Sequence, residues 1–165
     1  MKTAFRLLLL AALAVAGVWL WTVLFPSPDS IIRKRLAQVA AEASFPPGEN
    51  PLVIAARSEN LAGCFGTNVE VNINVPEHGQ HNFVGRAEIM QSAAGARSAV
   101  GSLKVEFPDM NITVSPDKQS ATADVVLKVQ AAGEKDFYVQ EVKFTFQKIE
   151  GDWLITRVET VRTLS

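Results

Sequence analysis

From Ser120 to Thr163 the chain alternates with a period of two, and this pattern dictates how its last third folds. Ala121, Ala123, Val125, Leu127 and Val129 interleave with Thr122, Asp124, Lys128 and Gln130. Tyr138, Val142, Phe144 and Phe146 follow at even spacing, then Trp153, Ile155 and Val158 in a third β-rich run. Strand side chains alternate between the two faces of a sheet, so the pattern predicts three long strands in a meander and not a helix. Ala132-Gly133-Glu134-Lys135 and Glu150-Gly151-Asp152 place glycine where tight antiparallel connections need a positive φ.

The chain before the meander has mixed periodicity. Ser27-Pro28-Asp29 predicts a helix start, with a capping hydroxyl, a proline in the first turn and an acid at the positive end of the dipole. The helix runs to about Ser44 with Ile32, Leu36, Val39 and Ala43 on one face, and Phe45-Pro46-Pro47-Gly48 ends it. Asn50-Pro51 opens a second helix from Leu52 to about Leu61, closed by Gly63. Asn68 to Val75 alternates as a first strand, and His81 to Val84 reads as a short return after the turn-rich Pro76-Glu77-His78-Gly79-Gln80. Arg86 to Ala99 is a third helix, with Ile89, Ala93, Ala96 and Val100 at helical spacing. Ser102 to Phe107 and Met110 to Ser115 form one strand interrupted at Pro108-Asp109.

At the other end of the chain, Lys2 and Arg6 precede Leu7 to Phe25, about nineteen uncharged residues that span roughly 30 Å as a helix. The expectation is a basic tail over residues 1–6, a single-pass transmembrane signal-anchor over 7–25, and one domain over 27–165 held outside the cytoplasm. The alternative is export after cleavage at Ala14-Val15-Ala16. A net charge of -1 leaves no clustered basic footprint and excludes nucleic acid as the expected partner. Cys64 is the only cysteine, which excludes an intramolecular disulfide and a cysteine-based zinc site.

The order helix, short helix, strand, short strand, helix and four antiparallel strands resembles the nuclear transport factor 2-like (NTF2-like) superfamily, whose members include SnoaL-type cyclases, ketosteroid isomerases and scytalone dehydratase. The resemblance covers residues from about 29 to 163. Phe83-Val84-Gly85-Arg86-Ala87-Glu88-Ile89 is similar to the family's glycine before its third helix, and Gly151-Asp152-Trp153-Leu154-Ile155 to its G-x-W-x-I final strand. The resemblance implies an α+β cone, with the N-terminal helices packed in a strongly curved mixed or antiparallel sheet. It further implies a pocket in the cone and an outer sheet face that serves homodimers. Isomerase-type members carry an aspartate base just after the first strand's V-E pair; here Val69-Glu70 is followed by Val71, so that base is missing.

The candidates for chemistry are few. His78 and His81 have the side chains for acid–base or metal work, though H-x-x-H on a loop without an acidic third ligand also suits two solvated imidazoles. Tyr138 and Gln140 share the parity of Val142 and Phe144, which would aim a hydroxyl and an amide inward as ligand-orienting groups, though near the strand's end the pair also suits two side chains that reach water. Asp124 would be a general acid or base if buried, but it shares parity with Thr122, Lys128 and Gln130 on the outer face. Arg157 and Glu159 fall in register with Trp153 and Ile155, for pairing across the sheet or for clamping an anion. Cys64 reads as a small buried hydrophobe. No metal or cofactor is expected. The function these residues suggest is binding of a small apolar ligand or a protein partner without catalysis. A hydro-lyase or isomerase acting in the cone is one alternative, and a structural dimerisation module is another.

Overall fold

The computed structural model describes residues 26–75, 79–134 and 137–161, together with Val15 and Gly17. The apolar run 7–25, apart from those two residues, and His78 lie outside the described residues. Among the described residues no helix is long and apolar enough to cross a membrane.

Both N-terminal helices start where their caps predict. Ser27 accepts a hydrogen bond from the Ser30 amide at 3.3 Å and opens α1, Pro28–Ala43. Asn50 accepts one from Val53 at 3.0 Å and opens α2, Pro51–Ala62. These contacts satisfy amide donors that the first helical turn leaves without partners. β1, Phe65–Val75, begins earlier than alternation suggests, because Gly66 interrupts the pattern. β2, Gly79–Val84, returns against it, and Gly85 at φ 87° turns the chain into α3, Arg86–Ala99. The remaining strands are β3, Leu103–Val114; β4, Ser120–Ala131; β5, Tyr138–Ile149; and β6, Asp152–Thr160.

The six strands form one sheet in the order β2-β1-β6-β5-β4-β3. Every neighbouring pair is antiparallel except β1 and β6, which run parallel. The predicted interruption at Pro108-Asp109 is a register shift inside one continuous strand, since Glu106 pairs with Lys128 while Asp109 already pairs with Val126. A bulge is where a strand tolerates a proline that cannot donate to the ladder. A second irregularity corrects the expectation for β6. Ile155 pairs with Phe146 and Arg157 with Thr145, leaving Thr156 as an extra residue. That residue inverts the alternation: Trp153, Ile155 and Val158 are buried, while Arg157 faces the outside. Arg157 and Glu159 therefore do not share a face with Trp153 and Ile155.

α1 buries Ile32, Leu36 and Val39 against the sheet's inner residues, among them Ala123, Phe146, Trp153 and Ile155. It also guards the β3 edge. Phe45 exchanges backbone hydrogen bonds with Leu103 at 2.8 and 3.0 Å, Ser44 Oγ accepts from the Val105 amide at 2.9 Å, and Arg33 donates to the Met110 carbonyl at 3.3 Å. Side chains and a short bridge thus occupy edge groups that would otherwise invite another strand.

One buried ion pair has no signature in the sequence pattern. The Arg97 side chain on α3 is 1% exposed and meets Glu49, 7% exposed, at 2.5 Å. Its guanidinium lies 5.0 Å from the centre of the Phe45 ring and donates to the Glu42 carbonyl. Arg97 thereby ties the end of α1 and the linker before α2 to α3. Removing one partner of a buried pair strands the other charge out of water. Arg97→Met is expected to lower stability by about 3 kcal/mol, and the double change Arg97→Met with Glu49→Leu by clearly less, because no unpaired charge remains. Urea unfolding of the three proteins measures both, and an equal or larger loss in the double variant would contradict the account.

Candidate functional site

The concave face of the sheet does not fully close on the helices. Between them lies a cavity of about 290 Å³ to which α1 to α3 and β1 to β6 all contribute. Val71 and Ile73 of β1, Leu127 and Val129 of β4, and Val142 and Phe144 of β5 form much of its wall. The opposite side presents small residues, Ala43 of α1 and Ser92 and Ala93 of α3. Two facts help to create this space: the bulged, twisted strands curve the sheet, and short side chains at Ala43, Ser92 and Ala93 stand beside Val39, Leu61 and Ile89 on the helical side. Surface clefts elsewhere are larger, among them three of about 650, 680 and 520 Å³, but these are walled partly by charged residues such as Lys104, Glu134, Glu70, Arg157 and Glu59.

Chemically the cavity is almost bare. Among the described lining residues Ser92 supplies the single polar side chain, and the others are hydrocarbon. Among the described lining residues there is no titratable side chain to move a proton. Such a cavity rewards the transfer of an apolar solute from water and offers a polar one little in return.

Polar groups gather beside the wall instead. His81 on β2 is exposed, lies opposite the pocket residue Ile73, and stacks on the pocket residue Phe83 with centroids 6.3 Å apart and planes 8° from parallel. Tyr138 and Gln140 lie on the concave side of β5, opposite the wall residues Val129 and Leu127. They flank the cavity and do not line it. The Tyr138 hydroxyl donates to Gln140 Oε1, and Gln140 Nε2 donates to the Asn74 carbonyl at 3.0 Å. The Asn74 amide in turn donates to Thr160 Oγ1 at 3.0 Å. β6 ends at Thr160 while β1 and β5 run on, so these side chains span the gap that β6 leaves. Partial burial of Tyr138 raises its phenol above the ordinary value of 10.0.

The other sequence candidates lie elsewhere. Asp124 is exposed on the outer face, 3.7 Å from Lys143. Arg157 pairs with Glu70 at 2.6 Å on that same face, and this hydrogen-bonded carboxylate, with its charge, holds the guanidinium above its ordinary pKa. Glu70, the one acid near the position where isomerases keep their base, is thus turned away from the cavity and engaged. Cys64 is fully buried, and burial raises its thiol above the ordinary value, consistent with a small apolar core residue. Among the described residues no group of three or more histidines, cysteines or acids is placed to hold a metal. The outer face expected to pair subunits carries Lys104, Glu106, Lys128, Asp124 and Lys143 in ion pairs.

No protein-family model matches the chain, and no curated protein matches it. Solved structures do. A Novosphingobium aromaticivorans NTF2-like protein with a cystatin-like fold superposes with a TM-score of 0.61 at 19% identity, covering 89% of this chain and 86% of its own. The fold is NTF2-like. A Nostoc punctiforme domain of unknown function with a cystatin-like fold gives a TM-score of 0.62 at 19% identity, over 86% of this chain and 80% of that one. A second Novosphingobium aromaticivorans protein, provisionally assigned as a scytalone dehydratase, gives 0.58 at 16% identity, over 82% and 84%. At such identities the likeness carries the architecture and leaves the chemistry to the residues of each chain.

Tyr138 is the only tyrosine in the chain, so an ultraviolet titration of phenolate reports on it alone. Its midpoint is expected above 10.0 in the folded protein. Because the raised value favours the protonated form in the fold, its stabilising contribution is complete below the unfolded pKa and is lost as pH rises through the folded one. A folded-state midpoint at or below the free value would contradict the partial burial.

Proposed function

We propose that this chain is a non-catalytic binding module that holds a small apolar ligand in the concave cavity. The observation that carries the proposal is the lining: a concave hydrocarbon surface, one hydroxyl, and no acid, base or metal-ligand set among the described wall residues. Binding in such a site needs only the release of apolar surface from water, whereas lyase or isomerase chemistry needs a proton carrier at the substrate. Of the groups the hydro-lyase alternative would use, Asp124 is on the opposite face of the sheet, and Tyr138 is hydrogen-bonded to Gln140 and not to His81.

Filling the cavity tests this reading. Ala93→Phe projects a ring into the space while leaving the sheet pairing untouched. The variant is expected to bind apolar fluorophores about a hundredfold more weakly, as roughly 3 kcal/mol of apolar burial is denied to them. Unchanged affinity in a folded variant would place binding elsewhere.

We further propose that residues 7–25 tether the module to a membrane with the domain outside the cytoplasm; the support is the uncharged apolar run alone. Leu10→Arg combined with Leu13→Arg is expected to move the protein from the membrane to the alkali-extractable fraction, and retention in the pellet would contradict the tether.

A further inference from the structure

The hydrogen-bond chain beside the cavity has a direction, and the direction says what kind of ligand end it suits. The Asn74 carbonyl can only accept, so the Gln140 atom facing it at 3.0 Å must be the amide nitrogen. That choice leaves Gln140 Oε1 facing Tyr138, and an amide oxygen also only accepts. The one proton of the Tyr138 hydroxyl is therefore committed to Gln140. What the half-buried Tyr138 oxygen still offers is a lone pair, which makes it an acceptor beside an apolar wall.

We propose that the cavity takes a neutral alcohol whose hydrocarbon body fills the apolar space and whose hydroxyl donates to the oxygen of Tyr138. The proposal rests on the pocket-binding reading and narrows it. A hydrocarbon would leave the Tyr138 lone pair unused, and a ketone or ester would set acceptor against acceptor. A carboxylate would meet no cation among the described lining residues. The volume of about 290 Å³ limits the body to about ten non-hydrogen atoms, taking roughly 30 Å³ for each water-sized group. The Tyr138 position makes chemical sense for this purpose, because its cross-strand neighbour Val129 belongs to the wall while Tyr138 does not. The polar end of such a ligand would sit at the boundary and its chain within.

Three ligands of matched size separate the possibilities: 1-nonanol, which donates and accepts; 2-nonanone, which only accepts; and n-decane, which does neither. Equilibrium dialysis against the full chain in bilayer discs measures each, with discs carrying the Ala93→Phe chain as the blank that removes partition into lipid. The expected result is 1-nonanol tighter than 2-nonanone by about threefold to tenfold, the range of one net hydrogen bond. Tyr138→Phe should abolish that preference while leaving n-decane binding unchanged. Gln140→Leu removes the acceptor that holds the Tyr138 proton, so the ketone should then bind at least as well as the alcohol. Equal binding of alcohol and ketone by the unmodified chain, or a preference that survives Tyr138→Phe, overturns the proposal and leaves the apolar pocket standing. Failure of all three ligands to bind overturns the pocket reading and this proposal together.

Discussion

The parallel pairing of β1 with β6 is the contact on which the rest of this structure depends. It joins Glu70 to Arg157, Val71 to Val158 and Asn72 to Glu159, positions far apart in the chain. Without it the β1–β2 hairpin and the meander would be two separate sheets, each with an apolar face and nothing to close the cone. The pairing is costly to reach, since a long stretch of chain must be ordered before its ends meet. Two things compensate for that ordering: burial of Val69, Val71 and Val158 on the inner side, and packing of α3 beneath β1, held by the bidentate reach of Arg86 to the Phe65 carbonyl at 2.9 and 2.6 Å.

Most of the architecture was legible in the sequence because local rules and global packing agree here. Ser27 and Asn50 cap the helices they announce, and Ala121, Ala123, Val125, Val142, Phe144 and Phe146 are buried as their alternation requires. Legibility ended where a backbone irregularity changed the phase. The extra residue Thr156 moved Arg157 to the outer face, and no property of a threonine signals that a strand will bulge. Arg97 was equally opaque. An arginine at the end of a helix usually completes the dipole in solvent, and only the folded linker brings Glu49 and Phe45 to enclose it.

The site was half legible. Parity placed Tyr138 and Gln140 on the concave side of β5, and the absence of an aspartate after Glu70 was visible directly. What parity lacked was depth: it assigns a face but not a distance from the centre, so it could not show that these two residues flank the cavity while Leu127, Val129 and Val142 line it. The space itself arises from what the helices omit. Ala43 and Ala93 read as ordinary helix formers, yet opposite a curved sheet their small size leaves a volume that larger residues would fill. Walls that are hydrocarbon apart from the Ser92 hydroxyl keep such a void tolerable, because they bring little polar surface out of water.

Thr156 also shows how pattern and shape can compete within one strand. Deleting it would restore an unbroken alternation from Trp153 through Ile155 to Val158, making the strand a better match to any period-two template. The same deletion would straighten β6 at the point where it passes Gly66, whose α-carbon side already lies within van der Waals reach of the Thr156 methyl at 3.5 Å from an added β-carbon. A flatter strand makes a shallower bowl, and the hollow that distinguishes this chain from a solid sheet-and-helix sandwich would shrink with it. The capacity of the cone is thus written in a residue that spoils the hydropathy pattern.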